Sequence, residues 1–220
     1  MVGQYWAKNK SLQPDIVASD NFNRKRGANT FPLAWQWNHN PVAHLWSLTE
    51  RKGYLRLKTD RVDTSFVMAR KTITQRTFGP TSSASTLLDT KGMKEGDQAG
   101  LCLLQKNYGL IGVKVDQGKK MVYMVSSNSG KPVTIASVPI SSEKIYFRAD
   151  CDFTERKDLA QFYYSMNGKN WIKMGEPIKM PYTLPHFMGY RFGLYCYATS
   201  DIGGYADFDW YKVGNQLIKN

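Results

Sequence analysis

From Asp20 onward no run of ten or more residues carries apolar side chains at helical spacing, and short alternating runs take their place. "KIYFRADCDF" (144–153) is the clearest. Ile145, Phe147, Ala149, Cys151 and Phe153 fall on one side of an extended chain, and Tyr146, Arg148, Asp150 and Asp152 on the other. "GYLRLKT" (53–59) puts Leu55 and Leu57 on one face, and "FVMARKTITQRTF" (66–78) is rich in β-branched and aromatic residues. "AGLCLLQ", "YGLIGVKV", "YRFGLYCYAT" and "YADFDWYKV" are further strand signals. "VKVDQGKKMVYMV" reads as a hairpin about Gln117-Gly118. Asn167-Gly168 gives the strongest short hairpin signal, since a type I′ turn needs two residues with positive φ. Many short strands separated by turn signals define an all-β chain, a sandwich or jelly roll of antiparallel sheets.

The 220 residues suit one such domain. Residues 1–18 lack periodicity and contain Pro14, which predicts a linker or surface strap; 19–220 are expected to form the sandwich. No run of 18 apolar residues predicts a membrane helix, and "MVGQYWAKNK" does not read as a signal peptide. The net charge is +12, but basic residues are spread along the chain and the densest group is "NRKRG" (23–27). That pattern fits a solvated surface better than a nucleic-acid interface, which concentrates charge. Cys102, Cys151 and Cys196 each sit in an apolar run with no CxxC spacing, so they read as buried free thiols.

Catalytic motifs are absent. The histidines are His39, His44 and His186, with no HExxH, GxSxG or phosphate-loop pattern. Two carboxylate pairs, Asp150/Asp152 and Asp207/Asp209, have the i, i+2 spacing that sets side chains roughly 6–7 Å apart on one strand face. Alternation alone also predicts such a polar row. Asp20 in "SDNF" and Asp209 in "FDWYK" lie at the two ends of the strand set. The first and last strands of a sandwich are often neighbours, so these two could supply oxygen ligands to a structural Ca²⁺.

The aromatics carry more information. In "FPLAWQWNHNP" (31–41), Trp35 and Trp37 share one side of an extended chain, and Gln36 and Asn38 the other, with His39 following. "TQRTFGP" offers Gln75 and Arg76, "LLQKNYG" offers Gln105 and Tyr108, and "HFMGYRFGLYCY" offers Phe187, Tyr190 and Arg191. Flat rings cover the apolar faces of sugars while amides, imidazole and guanidinium bond the hydroxyls. Repeated pairing of an aromatic with an amide or arginine therefore points to a carbohydrate surface, although about half of the aromatics should be core by base rate.

"FPLAWQWNHNP", "LWSLTERKGYLRLKT", "ARKTITQRTFGP", "EGDQAGLCLLQKNYGLIGVK" and "GGYADFDWYKV", in that order, resemble the C-terminal β-sandwich of glycoside hydrolase family 43 β-xylosidases and arabinofuranosidases, a module also grouped as carbohydrate-binding module family 91. The resemblance runs from about Asp20 to Val213. It implies a concanavalin A-like jelly roll and, as partner, an N-terminal five-bladed propeller bearing the three catalytic carboxylates, which these 220 residues do not contain. "LPHFMGYRFG" resembles the loop that in some relatives carries an aromatic toward the propeller's active site, which nominates His186, Phe187 and Tyr190. Other members bind xylan or xylooligosaccharides. The sequence thus predicts a non-catalytic module that binds xylan, with a buttress for the propeller as the alternative and neither nucleic acid nor membrane as partner. An enzyme using Asp150 with Asp152 is the remaining class.

Overall fold

The structure is a computed structural model describing residues 16–128, 131–183 and 188–218. Among these, fourteen strands form two antiparallel seven-stranded sheets. One sheet runs β1(Gln36–Trp37)-β4(Lys71–Arg76)-β13(Arg191–Ala198)-β6(Asp97–Leu104)-β7(Gly109–Asp116)-β8(Lys119–Ser126)-β9(Val133–Ile140). The other runs β12(Ile172–Lys179)-β11(Leu159–Ser165)-β10(Lys144–Asp152)-β5(Thr81–Asp89)-β14(Tyr205–Gly214)-β3(Leu55–Lys58)-β2(Trp46–Ser47). The all-β sandwich expected from alternation is the fold observed.

Alternation fixes the core between the sheets. Ile145, Phe147, Ala149 and Cys151 of β10 have no exposed area and meet Phe162 of β11, Ile111 and Val113 of β7 and Phe192 and Leu194 of β13 in one cluster. A second cluster lies on the far side of the β1–β9 sheet. There Phe66 stacks on Tyr108, Tyr195 and Tyr197 at centroid distances of 4.8, 5.2 and 6.5 Å. Phe66 reaches this face because Phe66–Met68 is a 3₁₀ turn, so the long strand read over 66–78 begins only at Lys71. Glycines of paired strands leave room for the tyrosine rings on this face. A Cβ on Gly112 would stand 2.3 Å from the Tyr195 hydroxyl and from the Ala99 carbonyl oxygen.

The two hairpin signals fare differently. Gln117 and Gly118 have φ of 51° and 71° and join Asp116 to its partner Lys119 in the two-residue turn expected. Asn167-Gly168 lies in a longer connection, since the flanking pair is Tyr164 with Ile172. Here the Asn167 side-chain oxygen accepts from the amides of Lys169 and Asn170, and Ser165 Oγ from those of Asn167 and Gly168. These bonds offer the backbone an alternative to a tight turn. The three cysteines are free and buried, and burial pushes their thiols above the ordinary range. Chain ends meet as expected: Asp20 bridges Tyr211, with N–H to oxygen distances of 2.8 and 2.7 Å in the two directions.

Candidate functional site

"FPLAWQWNHNP" forms only a two-residue strand at the sheet edge, Gln36 facing Thr74 and Trp37 facing Ile73. Both tryptophans do share a side, and that side is inward. Trp35 is 7% exposed, its ring 4.7 Å from Tyr211 and 5.8 Å from Phe31. Half-buried Trp37 packs on Phe31 and Trp46 at 5.8 and 5.4 Å. Trp35 presents no free face as a sugar platform, and ring packing against the sandwich leaves Trp37 only partly accessible. Gln36, Asn38 and His39 are exposed, and His39 Nε2 stands 2.9 Å from the Val67 carbonyl oxygen.

The Asp20 carboxylate does not fit a cation. Its Oδ1 accepts from Phe22 N–H at 2.8 Å and Arg24 Nη1 at 2.9 Å, and its Oδ2 from Arg24 Nη2 at 2.6 Å and Trp35 Nε1 at 3.1 Å. A guanidinium already fills the position the Ca²⁺ was to take. Asp209 sits on a bulge of β14, where the register shifts between Phe208 and Tyr211. Among the described residues no group of three or more His, Cys, Asp or Glu could hold a metal.

The carboxylate pairs are likewise committed. Asp150, 5% exposed, accepts from Arg148 Nε at 2.6 Å and Ile218 N–H at 2.7 Å. Burial is the largest influence on it and raises its pKa above the usual carboxylate value. Asp152 is held below that value, first by the Thr154 hydroxyl, with help from Lys157. The opposite shifts mimic an acid–base pair, yet each carboxylate is tied to its own cation. Asp207 is buried and takes both Arg56 (2.8 Å to each oxygen) and Arg51 (3.0 Å); Arg51 also binds Asp89 at 2.8 Å. This four-residue network holds β14 to β3 and β5 and was not legible in sequence.

Four of the remaining nominees, Arg76, Gln105, Tyr190 and Arg191, converge at one end of the sandwich. A pocket of about 280 Å³ is lined by Thr77, Phe78, Gln105, Phe153, Tyr182 and Tyr190, with other residues. Beside it lies a recess of about 210 Å³ lined by Arg76, Thr77, Met188, Gly189, Tyr190 and Arg191. Gln105, 3% exposed, ties this end together: its Nε2 donates to the Met188 carbonyl at 2.9 Å and its Oε1 accepts from Thr183 Oγ1 at 2.7 Å. Thr77 donates through Oγ1 to the Tyr190 carbonyl at 2.8 Å. Tyr190 is a core side chain, 5% exposed, and burial pushes its hydroxyl up to about 12. Gln75 is fully buried with its amide bonded to both backbone groups of Ala18, a structural pin for the incoming chain. Tyr108, 4% exposed, belongs to the Phe66 cluster. His186 and Phe187 lie outside the described residues. Sequence reasoning missed Tyr182, 67% exposed on the pocket rim; its place between Pro181 and Pro185 in "MPYTLP" was the available signal.

Two seven-stranded antiparallel sheets packed as a sandwich, with a polar-aromatic pocket at one end, are the architecture of a concanavalin A-like module. Residues 19–214 match the family described as the β-xylosidase C-terminal concanavalin A-like domain, and the chain belongs to that family. A β-xylosidase of Formosa agariphila is 32% identical, with 80% of this chain and 32% of the relative covered. A putative β-xylosidase of Xylanibacter ruminicola is also 32% identical over 67% of this chain and 26% of its own length. Among solved structures, a bifunctional GH43-CE protein of Bacteroides eggerthii is 53% identical, with a TM-score of 0.90 over 95% of this chain and 27% of that one. A GH43 protein of Bacillus licheniformis is 27% identical with a TM-score of 0.77, covering 90% and 39%. The chain thus spans about a third or less of the curated relatives it matches.

Proposed function

We propose that the chain is a non-catalytic accessory domain that packs, through the end bearing the Gln105–Tyr190 pocket, against the catalytic domain of a GH43 enzyme acting on xylan-type substrates. The observation that carries this reading is burial. Trp35, Gln75, Tyr108, Tyr190 and Arg191, all nominated as sugar contacts, are at most 7% exposed, while exposed Tyr182 and half-buried Phe78 and Phe153 gather at one end. Apolar rings exposed together on one surface mark an interaction site. The extra length of the family's relatives supplies room for a partner domain.

A second reading, a xylan- or xylooligosaccharide-binding module, draws on the same pocket: its volume of about 280 Å³ and its aromatic and amide lining would suit a sugar unit. Calorimetric titration of the isolated chain with xylohexaose separates the two. Packing predicts no saturable heat. Saturable binding that Tyr182→Ala abolishes would replace the first reading with the second.

A further inference from the structure

In the recess beside the pocket, Arg76 and Arg191 face each other directly across β4 and β13. Like charges opposite one another on a sheet repel. Arg191 is 4% exposed, so most of its guanidinium is stripped of water, and Nη1 keeps the access that remains. Its hydrogen bonds go from Nε to Thr74 Oγ1 at 2.7 Å and from Nη2 to the Thr74 carbonyl at 3.5 Å, which leaves Nη1 without a partner among the described residues. Among the described residues no acidic side chain lines the recess and neither arginine forms an ion pair.

Elsewhere the buried and half-buried arginines, and buried Lys71, meet carboxylates. Arg51 and Arg56 meet Asp207, Arg24 meets Asp20, Arg148 meets Asp150 and Lys71 meets Asp60. Arg191 departs from that rule. A buried charge is tolerated when paired, and a pair with one member removed is strongly unfavourable. An uncompensated buried guanidinium beside a second cation is what one side of an interface looks like when the other side is missing.

We propose that the Arg76–Arg191 recess receives a carboxylate side chain of the GH43 catalytic domain, Arg191 forming the desolvated contact and Arg76 the rim contact. The proposal rests on the packing reading above and names the chemistry of that interface. Two arginines at a recess of about 210 Å³ suit a planar carboxylate, which Arg76 can bind through two parallel N–H groups and Arg191 through Nη1.

The test compares two forms of the module. One is the 220-residue chain alone; the other is the Bacteroides eggerthii protein with its matching segment exchanged for this chain, a swap favoured by 53% identity and a TM-score of 0.90. Urea unfolding is read on each, with and without Arg191→Met. In the chain alone the substitution removes a repulsive, unpaired charge, so its midpoint is expected to rise. In the exchanged protein it strands the partner's carboxylate, and the module's midpoint is expected to fall. A merely structural arginine would move both midpoints the same way. Arg76→Met, exposed and tolerant, should give the same pair of opposite signs at smaller amplitude, and it serves should Arg191→Met fail to fold. If the exchange stabilises the module and Arg191→Met leaves that gain intact, the carboxylate proposal is overturned while packing stands. If the exchange brings no gain with Arg191 present, packing itself fails and the proposal with it. A saturable rise in the lone chain's midpoint with free glucuronate would assign the recess to an acidic sugar and overturn the partner as the source.

Discussion

Replacing Trp35 by alanine tests whether the tryptophan-rich stretch is core or binding surface. The indole is 7% exposed and touches Phe22, Phe31 and Tyr211 at centroid distances of 6.0, 5.8 and 4.7 Å. Truncating such a side chain typically destabilises by about 3–5 kcal/mol, the lost transfer energy plus the cavity left behind. At about 2–4 °C per kcal/mol for a domain of this size, the melting temperature should fall by about 6–20 °C. Trp35→Phe keeps an aromatic ring and loses the N–H donated to Asp20 at 3.1 Å, while Asp20 retains three other donors. That loss should amount to about 1 kcal/mol, plus a smaller packing defect. Gln36→Ala, at an exposed position, should leave the midpoint within about 0.5 kcal/mol of the parent. Urea unfolding followed by tryptophan fluorescence and by circular dichroism measures all three. A Trp35→Ala protein that unfolds with the parent yet fails to bind a sugar or partner would refute the core assignment.

Other consequences follow from the same packing. Asp207→Ala leaves Arg51 and Arg56 without their shared acceptor and should destabilise by about 3–5 kcal/mol in urea unfolding, toward the low end because both arginines are partly exposed. For Asp89, burial would raise the pKa, but the Arg51 hydrogen bond, the Lys91 amide and nearby positive charge outweigh it and hold it below the ordinary 3.8. Its stabilisation is therefore present above 3.8 and is lost as pH falls through the lower folded value, so Asp89→Asn should flatten the acid limb of the stability profile. Asp150 has the opposite sign: raised by burial, it contributes below 3.8 and loses that contribution as pH rises through the folded value, so Asp150→Asn should flatten the stability lost there. Gly112→Ala forces a methyl to within 2.3 Å of the Tyr195 hydroxyl and should destabilise by about 1–3 kcal/mol or more. With burial pushing all three thiols up, the native protein should leave a thiol reagent unreacted, and unfolding should release all three.

Alternation made the sandwich readable because each half-buried strand repeats its choice every second residue: β3 keeps the pattern throughout, and β10 departs from it only at Asp150, which Arg148 and the Ile218 amide cover. What failed were features decided by a third dimension. Phe66 leaves the strand pattern in a turn that carries it onto a tyrosine cluster drawn from distant strands. The pairing of Asp20 with Arg24 and Trp35 exists only after the chain ends have met, so two aspartates at strand ends looked like cation ligands. Sugar-binding and core aromatics have identical composition, and only burial separates Trp35 and Tyr108 from Tyr182. Gln105, Tyr190, Arg76 and Arg191 were picked out by type and do come together at one end, but their roles as clamp, core ring and facing cations came from the register of β4 and β13.

A domain that completes a GH43 catalytic unit, as proposed above, should be needed for that unit's turnover. Turnover by the Bacteroides eggerthii protein, measured with its own matching segment, with that segment exchanged for this chain, and with the segment deleted, tests it most directly. The exchange should retain most of the activity, deletion should lose it, and the chain alone should turn over nothing. Undiminished activity after deletion would contradict the proposal.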